Sequence, residues 1–273
     1  MKLNIENISP SIGSIISGLN LSEPLTPDLL QELRKTWLQR KVLVFPNQLL
    51  TPQQQVNCTR QFGELDQYPF IDGIKGMPYV AEVLKLPQEK INFGGVWHSD
   101  TTYLKEPAAG ASLYSLEIPP IGGDTIFCNM GVAYEALTDD IKEKINTLTA
   151  INTSNKTAVS KTRAVRLKKG ITAKVYTHTH PVIRTHPETG EKTIYVNEAH
   201  TVCFKGWSKK NSQPLLDLLY QHARKPELQC RIKWQKNMFV LWDNRSTHHY
   251  PINDYTGHRR LLHRVSLKGD IPR

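Results

Sequence analysis

Only four cysteines occur among 273 residues, Cys58, Cys128, Cys203 and Cys230, and no two form a Cys-x-x-Cys pair. That scarcity excludes a disulfide-stapled scaffold and a thiolate zinc site, and it suits reduced thiols. No apolar run approaches the roughly 18 residues that a membrane-spanning helix needs. The opening Met1-Lys2-Leu3-Asn4-Ile5-Glu6 has neither the apolar stretch nor the small-residue cleavage site of a secretory leader, so the cytoplasm is the expected compartment. Internal repeats and low-complexity tracts are missing, which excludes solenoids and fibrous arrays. One further absence is local. Between Ile145 and Pro187 there is no Asp or Glu, while Lys156, Lys161, Arg163, Arg166, Lys168, Lys169, Lys174 and Arg184 all fall inside.

What remains is the composition of an ordinary globule, 39% hydrophobic and 22% charged. The chain is long enough to bury a substantial core, and residues 1–273 read as a single domain. A net charge of +10 raises nucleic acid as a partner. Much of that excess, however, sits in the one acid-free stretch. It reads either as a solvated basic loop or as a rim that draws an anionic substrate or an acidic partner. No helix-turn-helix, zinc-finger or aromatic RNA-binding signature accompanies it, so nucleic acid is disfavoured. A basic polyanion-binding protein is the alternative from another class; its affinity would fall steeply with salt and ignore metal removal.

Short strands dominate the pattern. Lys2 to Ile5, Val42 to Phe45, Pro78 to Leu84, Ala111 to Ile118 and Thr125 to Phe127 read as strands. So do Gln229 to Trp234, Met238 to Trp242 and Arg259 to Leu267, with a hairpin pairing Val182–Thr185 and Thr193–Val196. Thr26-Pro27-Asp28 and Thr51-Pro52 each place a cap and a proline at a helix start, the first helix running to about Gln39 and the second reaching Phe62. Val132 to Leu137, Asp139 to Leu148 and Asn211 to Arg224 also read as helical. From about Ala150 to Thr179 no periodicity holds, and a stretch that long points to a lid or another functional loop. Many short strands with a few outer helices predict a mainly β sandwich or barrel.

Chemistry-bearing residues sit in two stretches. In Gly94-Gly95-Val96-Trp97-His98-Ser99-Asp100, alternation along an extended chain points His98 and Asp100 the same way. An imidazole beside a carboxylate supplies two of the three ligands of a 2-His-1-carboxylate iron site. Far downstream, Trp242-Asp243-Asn244-Arg245-Ser246-Thr247-His248-His249 offers a third, and Arg260-Leu261-Leu262-His263-Arg264 follows with fixed positive charge. Adjacent histidines on an extended segment face opposite ways, so only one of His248 and His249 can share the metal. By the same alternation Arg260 and Arg264 face one side of a strand, with Arg259 and His263 on the other. Two buried guanidiniums without anions are costly, so two anionic partners are expected. His178, His180, His186, His222 and His258 read as ordinary core or surface residues.

Together with Ser14-Ile15-Ile16-Ser17-Gly18-Leu19-Asn20-Leu21, Phe62-Gly63-Glu64-Leu65, Pro107-Ala108-Ala109-Gly110, Gly122-Gly123-Asp124-Thr125, Tyr134-Glu135-Ala136-Leu137, His180 to Pro187 and Gly269-Asp270, these residues give a chain that resembles the taurine dioxygenase family of Fe(II)- and 2-oxoglutarate-dependent oxygenases over nearly its whole length. The resemblance implies a double-stranded β-helix (a jelly-roll, cupin-like core) with bracing helices. It implies Fe(II) as the metal, 2-oxoglutarate as cosubstrate and O2 as oxidant, with succinate and CO2 released and an unactivated C–H bond hydroxylated. Its Trp-Asp-Asn-Arg-x-x-x-His spacing selects His249 as the third ligand beside His98 and Asp100, and leaves His248 to the supporting shell or solvent. Arg260, helped by Thr125, would anchor 2-oxoglutarate, and Arg264 would hold the anionic group of a small-molecule substrate. Asp100 keeps the carboxylate that related halogenases lack, so hydroxylation is the implied outcome.

Two positions depart from the taurine-using pattern: Tyr68 stands where those members have a histidine, and Gly94 where they have an asparagine. Two polar contacts to a small substrate are thereby lost. A bulkier anion than taurine is expected, contacted at Tyr68, Gly94 and Arg264, with residues 150–179 as its lid. A substrate carried on an acidic carrier protein, or one derived from an amino acid, fits the same features, and a homo-oligomer is compatible with them.

Overall fold

Residues 42–45 read Val-Leu-Val-Phe, and all four are buried, which a strand achieves only when both faces of its sheet are covered. In the computed structural model, which describes residues 3–157, 159 and 174–273, strand β3 (Val42–Phe45) lies inside an eight-stranded sheet. Its partners are β1 (Asn4–Asn7), β2 (Ser14–Ser17), β14 (Phe239–Asp243), β6 (Gly110–Glu117), β16 (Arg260–Leu267), β4 (Leu65–Asp66) and β5 (Ala81–Lys85), the last two both paired with β16. Alternation divides the side chains between two cores. Leu43, Phe45, Phe239 and Leu241 pack outward beneath the helices α1 (Pro27–Arg40) and α2 (Pro52–Arg60), around Trp37 and Phe62. Val42, Val44, Val240 and Trp242 point inward with Phe127, Trp234 and Leu262.

That inner layer faces a three-stranded sheet in the order β13 (Gln229–Ile232), β7 (Thr125–Asn129), β15 (Thr247–Pro251). Two facing sheets, antiparallel but for the parallel pair β2–β3, with helices outside one of them match the expected mainly β architecture. A third apolar cluster gathers α3 (Met130–Glu135), α4 (Asp139–Asn146) and α5 (Lys209–Ala223) against β8 (Thr149–Thr153), β9 (Thr177–Pro181), β12 (Thr201–Phe204) and the hairpin β10 (Ile183–Thr185)–β11 (Lys192–Ile194).

The cap signals hold: Thr26 Oγ1 accepts from Leu29 N, and Thr51 and Gln54 form a reciprocal capping box. The last long helix starts earlier than expected, at Lys209 rather than Asn211, because Ser208 takes the cap and accepts from Asn211 N. The stretch 150–179 is ordered at both ends, as β8 pairs with β9 from Thr149↔Pro181 to Thr153↔Thr177. Residues 158 and 160–173, on which the lid expectation and most of its charge rest, lie outside the described residues. Two of the flanking cations are structural. Arg184 is fully buried and ion-paired with Asp270, and Lys156 Nζ donates to the Glu198 and Thr201 carbonyls. His263 does face away from the inner layer but not toward solvent, for α2 covers it and Gln55 Nε2 donates to its carbonyl.

Candidate active site

The two ligand-bearing segments meet backbone to backbone. His98 N donates to His249 O (3.1 Å) and His249 N to His98 O (2.8 Å), an isolated antiparallel bridge at the end of the small sheet. Residues in such a hydrogen-bonded pair project from the same face, so both imidazoles turn to one side, their centroids 4.1 Å apart. Asp100 joins them two residues on: its Oδ1 is 3.7 Å from His98 Nε2 and 3.9 Å from His249 Nε2. One donor atom from each of the three lies within 4.8 Å of the others.

Each ligand is held from behind. His98 Nδ1–H donates to the Val96 carbonyl (2.6 Å), which fixes the tautomer that leaves Nε2 free for a metal. Asn244 Oδ1 accepts from Trp242 Nε1 (2.9 Å), and Ser99 Oγ donates to the Asn244 carbonyl (2.7 Å), locking the turn after β14 to the Asp100 segment. Phe127 stacks on the His249 ring at 5.5 Å. Burial would raise the Asp100 carboxyl, but the charge of the Arg264 guanidinium beside it, foremost, overcomes this and holds the group well below the ordinary carboxylate range. Burial keeps both imidazoles neutral by lowering them. An ionised carboxylate and two neutral imidazoles are the protonation states that a divalent cation requires. Asp100 Oδ2 and His249 Nδ1 are buried without hydrogen-bond partners. The donor set fits iron in the two-histidine, one-carboxylate manner.

A pocket partly open to solvent adjoins the triad and is lined by His98, His249, Thr125, Gly94, Arg260 and Arg264 among others. Arg260 and Arg264 lie four residues apart on β16, both buried, and neither guanidinium is fully satisfied. Nε and Nη2 lack partners in each. Arg264 Nη1 donates to Asp100 Oδ1 (3.0 Å), so one of its edges is already committed to a metal ligand. The Thr125 hydroxyl accepts from Trp234 Nε1 (3.0 Å) and faces the same pocket. Tyr68 stacks its ring under the Arg264 guanidinium at 5.3 Å. At Gly94, φ is +72° and an added Cβ would stand 3.2 Å from His98 Cε1. His98, Asp100, His249, Thr125, Arg260, Arg264, Tyr68 and Gly94 therefore gather around one centre.

The remaining histidines divide as expected. His186 Nε2–H donates to Asp243 Oδ2 (3.0 Å), deep in the core, and His180 Nε2–H donates to the Leu104 carbonyl (2.8 Å). His248 turns into the supporting shell, beside Trp97, Cys128 and Arg224, where burial pushes it down to about 3. Sequence reasoning missed a row of rings. Tyr68 meets Phe70 (5.8 Å), Phe70 meets Tyr103 (5.7 Å) and Tyr176 (5.6 Å), Tyr103 meets His200 (4.8 Å), and His200 meets His98 (6.3 Å). These come from four separate segments with no shared spacing, so no local pattern announces them. Lys85, Asn92 and Tyr255, around Arg260, were missed likewise.

Two sheets enclosing a metal-ready triad beside paired arginines define a non-haem iron oxygenase. Comparison with known proteins agrees. The model of the family described as "Taurine catabolism dioxygenase TauD, TfdA family" matches residues 4–266, and the chain belongs to that family. It is 32% identical to an alkylsulfatase of Acinetobacter baylyi, covering 99% of this chain and 86% of the relative. It is 29% identical to an alpha-ketoglutarate-dependent sulfate ester dioxygenase of Pseudomonas putida, covering 100% and 91%. Among solved structures, a taurine dioxygenase from Burkholderia xenovorans superposes with a TM-score of 0.83 at 31% identity, over 99% of this chain and 90% of that one. AAD-2, solved in complex with Mn(II) and N-oxalylglycine, gives 0.84 at 27%, over 100% and 99%. The chain is thus an alpha-ketoglutarate-dependent dioxygenase with a jelly-roll core, of a class that uses Fe(II), 2-oxoglutarate and O2. No described helix is long and apolar enough to cross a membrane.

Proposed function

We propose that His98, Asp100 and His249 hold Fe(II), that Arg260 and Thr125 take the distal carboxylate of 2-oxoglutarate, and that Arg264 takes the anionic group of an organic sulfate ester or sulfonate. The observation that carries this is the pair of buried, incompletely satisfied guanidiniums on one face of β16, beside the triad. A planar fork suits carboxylate and sulfate oxygens, and each free edge has desolvation already spent that an anion would recover. Val83, Phe93 and Leu113, which line the pocket, offer apolar surface for the rest of the substrate. Relatives named for sulfate esters and sulfonates support the class. A compact zwitterion such as taurine suits the site less, because Tyr68 gives its ring to Arg264 and Gly94 has no side chain to offer.

When bound, the iron and its cosubstrate supply oxidative decarboxylation to succinate and CO2, coupled to hydroxylation of a C–H bond. The residues contribute position and protection. Arg264 bridges Asp100 and the substrate anion, so it sets the distance from the anionic group to the metal. Arg260 and Thr125 fix the far end of the cosubstrate, and Phe127, Trp242 and Leu113 wall the pocket against water. With a sulfate ester, hydroxylation of the carbon that bears the ester oxygen gives a product that collapses to an aldehyde and inorganic sulfate. The four thiols are buried and unpaired, which suits our placement of the enzyme in the reducing cytoplasm.

The test is succinate formation across alkyl and aryl sulfates, sulfonates, carboxylates, phosphonates and amino acids. Sulfate release should match succinate one for one with the best ester. His98→Ala or Asp100→Ala should remove both products. Arg264→Met should raise KM for the substrate by about tenfold or more, the worth of a charge-assisted hydrogen bond, with little effect on 2-oxoglutarate. A neutral best substrate, with kinetics that Arg264→Met leaves alone, would make Arg264 a structural ion pair and sink the reading.

A further inference from the structure

Opposite Arg260 stands a second cation. Lys85 is the last residue of β5 and Arg260 the first of β16, and the two are direct partners in the antiparallel register. Both are nearly fully buried, and both line the pocket of the metal triad. Like charges directly opposite one another on a sheet repel, and burial removes the water that would screen them. Carboxylates act on them only from beyond ion-pair distance, Glu89 and Asp254 on Lys85 and Asp124 on Arg260. Neither side chain has an ion pair among the described residues, and the acids nearest in the fold are engaged elsewhere. Asp124 Oδ2 accepts from Arg231 Nε (2.7 Å), Asp254 Oδ1 accepts from Gly123 N (2.7 Å), and Glu89 Oε2 accepts from Leu86 N (2.6 Å).

Aromatic rings flank the two cations. Lys85 Nζ lies 4.0 Å from the centroid of Tyr255 and Arg260 Cζ lies 5.9 Å from it, while Trp234 flanks Arg260 at 5.6 Å. The Tyr255 hydroxyl is held in turn, donating to Asn92 Oδ1 (2.7 Å). Burial, the largest cause, lowers the Lys85 ammonium from its ordinary value, with Arg260 adding to it and Glu89 and Asp254 opposing it. A ring beside two cations leaves positive charge in excess. An arrangement of this kind costs stability that an anion between its members would recover.

We propose that Lys85 is a second cation of the cosubstrate pocket: with Arg260 it binds the distal carboxylate of 2-oxoglutarate and makes the pocket selective for a doubly charged oxoacid. This rests on Arg260 being the cosubstrate anchor. Lys85 touches no reacting atom, so its role is specificity and binding rather than chemistry. A single arginine fork satisfies one edge of a carboxylate, and the ammonium would take the remaining lone pairs.

Calorimetric binding of 2-oxoglutarate and of 2-oxopentanoate to Mn(II)-loaded protein without oxygen separates the alternatives. The second acid has the same chelating end and no distal carboxylate. Lys85→Met should weaken 2-oxoglutarate by about tenfold or more, as loss of a charge-assisted bond does, and leave 2-oxopentanoate within about twofold. Lys85→Arg should restore most of the affinity. The ligand-free melting temperature carries a second sign. A purely structural lysine lowers it when replaced, whereas relief of a buried like-charge pair raises it in Lys85→Met and shrinks the rise that 2-oxoglutarate induces. Lys85→Gln, which keeps a donor, guards against a variant that fails to fold. If Lys85→Met and Lys85→Gln bind 2-oxoglutarate as tightly as the wild type while Arg260→Met does not, the inference about Lys85 is wrong and the Arg260 anchor stands. If Arg260→Met also binds normally, the anchor itself is misplaced.

Discussion

Two clusters of buried charge lie on either side of the triad, and they are built on opposite terms. Behind the metal ligands, Asp243 accepts from Arg245 N and Nε through Oδ1 (both 2.9 Å), and from Arg245 Nη2 (2.7 Å) and His186 (3.0 Å) through Oδ2. Arg245 Nη1 then reaches Glu188 (2.7 Å), which Arg34 also binds, and Lys41 pairs with Glu191 nearby. On that side each cation has its carboxylate. On the pocket side Arg260 and Lys85 have no ion-paired carboxylate among the described residues, and Arg264 shares the triad carboxylate of Asp100. The same residue type is structural in the first place and receptive in the second, and the difference is whether the protein supplies the counter-charge. A guanidinium left short of partners costs stability, and the cost is recovered when a ligand brings the missing oxygens.

The sharpest way to break that contrast is to replace one arginine from each side. Arg245→Met strands Asp243 in the core without its main cation, so unfolding free energy should drop by about 3–5 kcal/mol in a urea titration. Arg260→Met removes a cation that has no carboxylate, so the ligand-free protein should lose almost nothing or gain slightly, while 2-oxoglutarate binding collapses. Equal destabilisation by the two substitutions would mean that Arg260 is paired in the folded protein after all.

The sequence made one side of this contrast visible and hid the other. Arg260 and Arg264 announce themselves because a strand period of two puts them on one face, and His98 with Asp100 do so for the same reason. Their order along the chain, with His249 selected by its spacing after Trp242-Asp243-Asn244-Arg245, carries the site almost unaided. Lys85 stayed hidden because strand pairing over 175 positions leaves no local trace, and Tyr68, Phe70, Tyr103 and Tyr176 because they converge only through tertiary folding. Asp243 and Arg245 were read as family markers, and their work as a buried bidentate pair emerged from the fold. Strand edges moved where a cap or proline intervened: Ala81–Lys85 begins three residues after Pro78.

A buried polar group that stays neutral tests the contrast from another direction. Burial, the largest cause, pushes His180 down to about 4, against an ordinary 6.5, and its only proton serves the Leu104 carbonyl. A histidine whose folded value lies below its unfolded one contributes its full stability above about pH 6.5 and loses it as pH falls toward 4. At pH 5 the loss is about 2 kcal/mol, since each unit of difference is worth about 1.4 kcal/mol. His180→Gln keeps a donor for Leu104 and cannot titrate. Its urea midpoint should therefore fall less between pH 7 and pH 5 than that of the wild type, and parallel losses in the two proteins would remove His180 from the account.

The smallest effect concerns the glycine pair before His98, which the sequence treats as a unit and the structure does not. Gly94 lines the pocket in the left-handed region (φ +72°), and a Cβ there would lie 3.2 Å from His98 Cε1 and 3.5 Å from Nε2, the edge that faces the metal. Gly95 lies outside that region, and its Cβ would meet only Asn92, at 3.4 Å from the carbonyl oxygen and 3.7 Å from Cβ, which is ordinary contact. Gly94→Ala should therefore cost about 1–2 kcal/mol of stability from its backbone conformation. It should also weaken metal affinity, because the methyl group presses on the ligand ring and off-centre ligands bind less well. Gly95→Ala should stay within about 0.5 kcal/mol of the wild type, as a surface-like substitution does, and bind metal normally. Thermal midpoints and a Co(II) titration of the two variants side by side give both readings. If Gly94→Ala holds Co(II) as tightly as Gly95→Ala does, the imidazole has room to give, and Gly94 owes its place to the turn alone rather than to the space it leaves beside the metal.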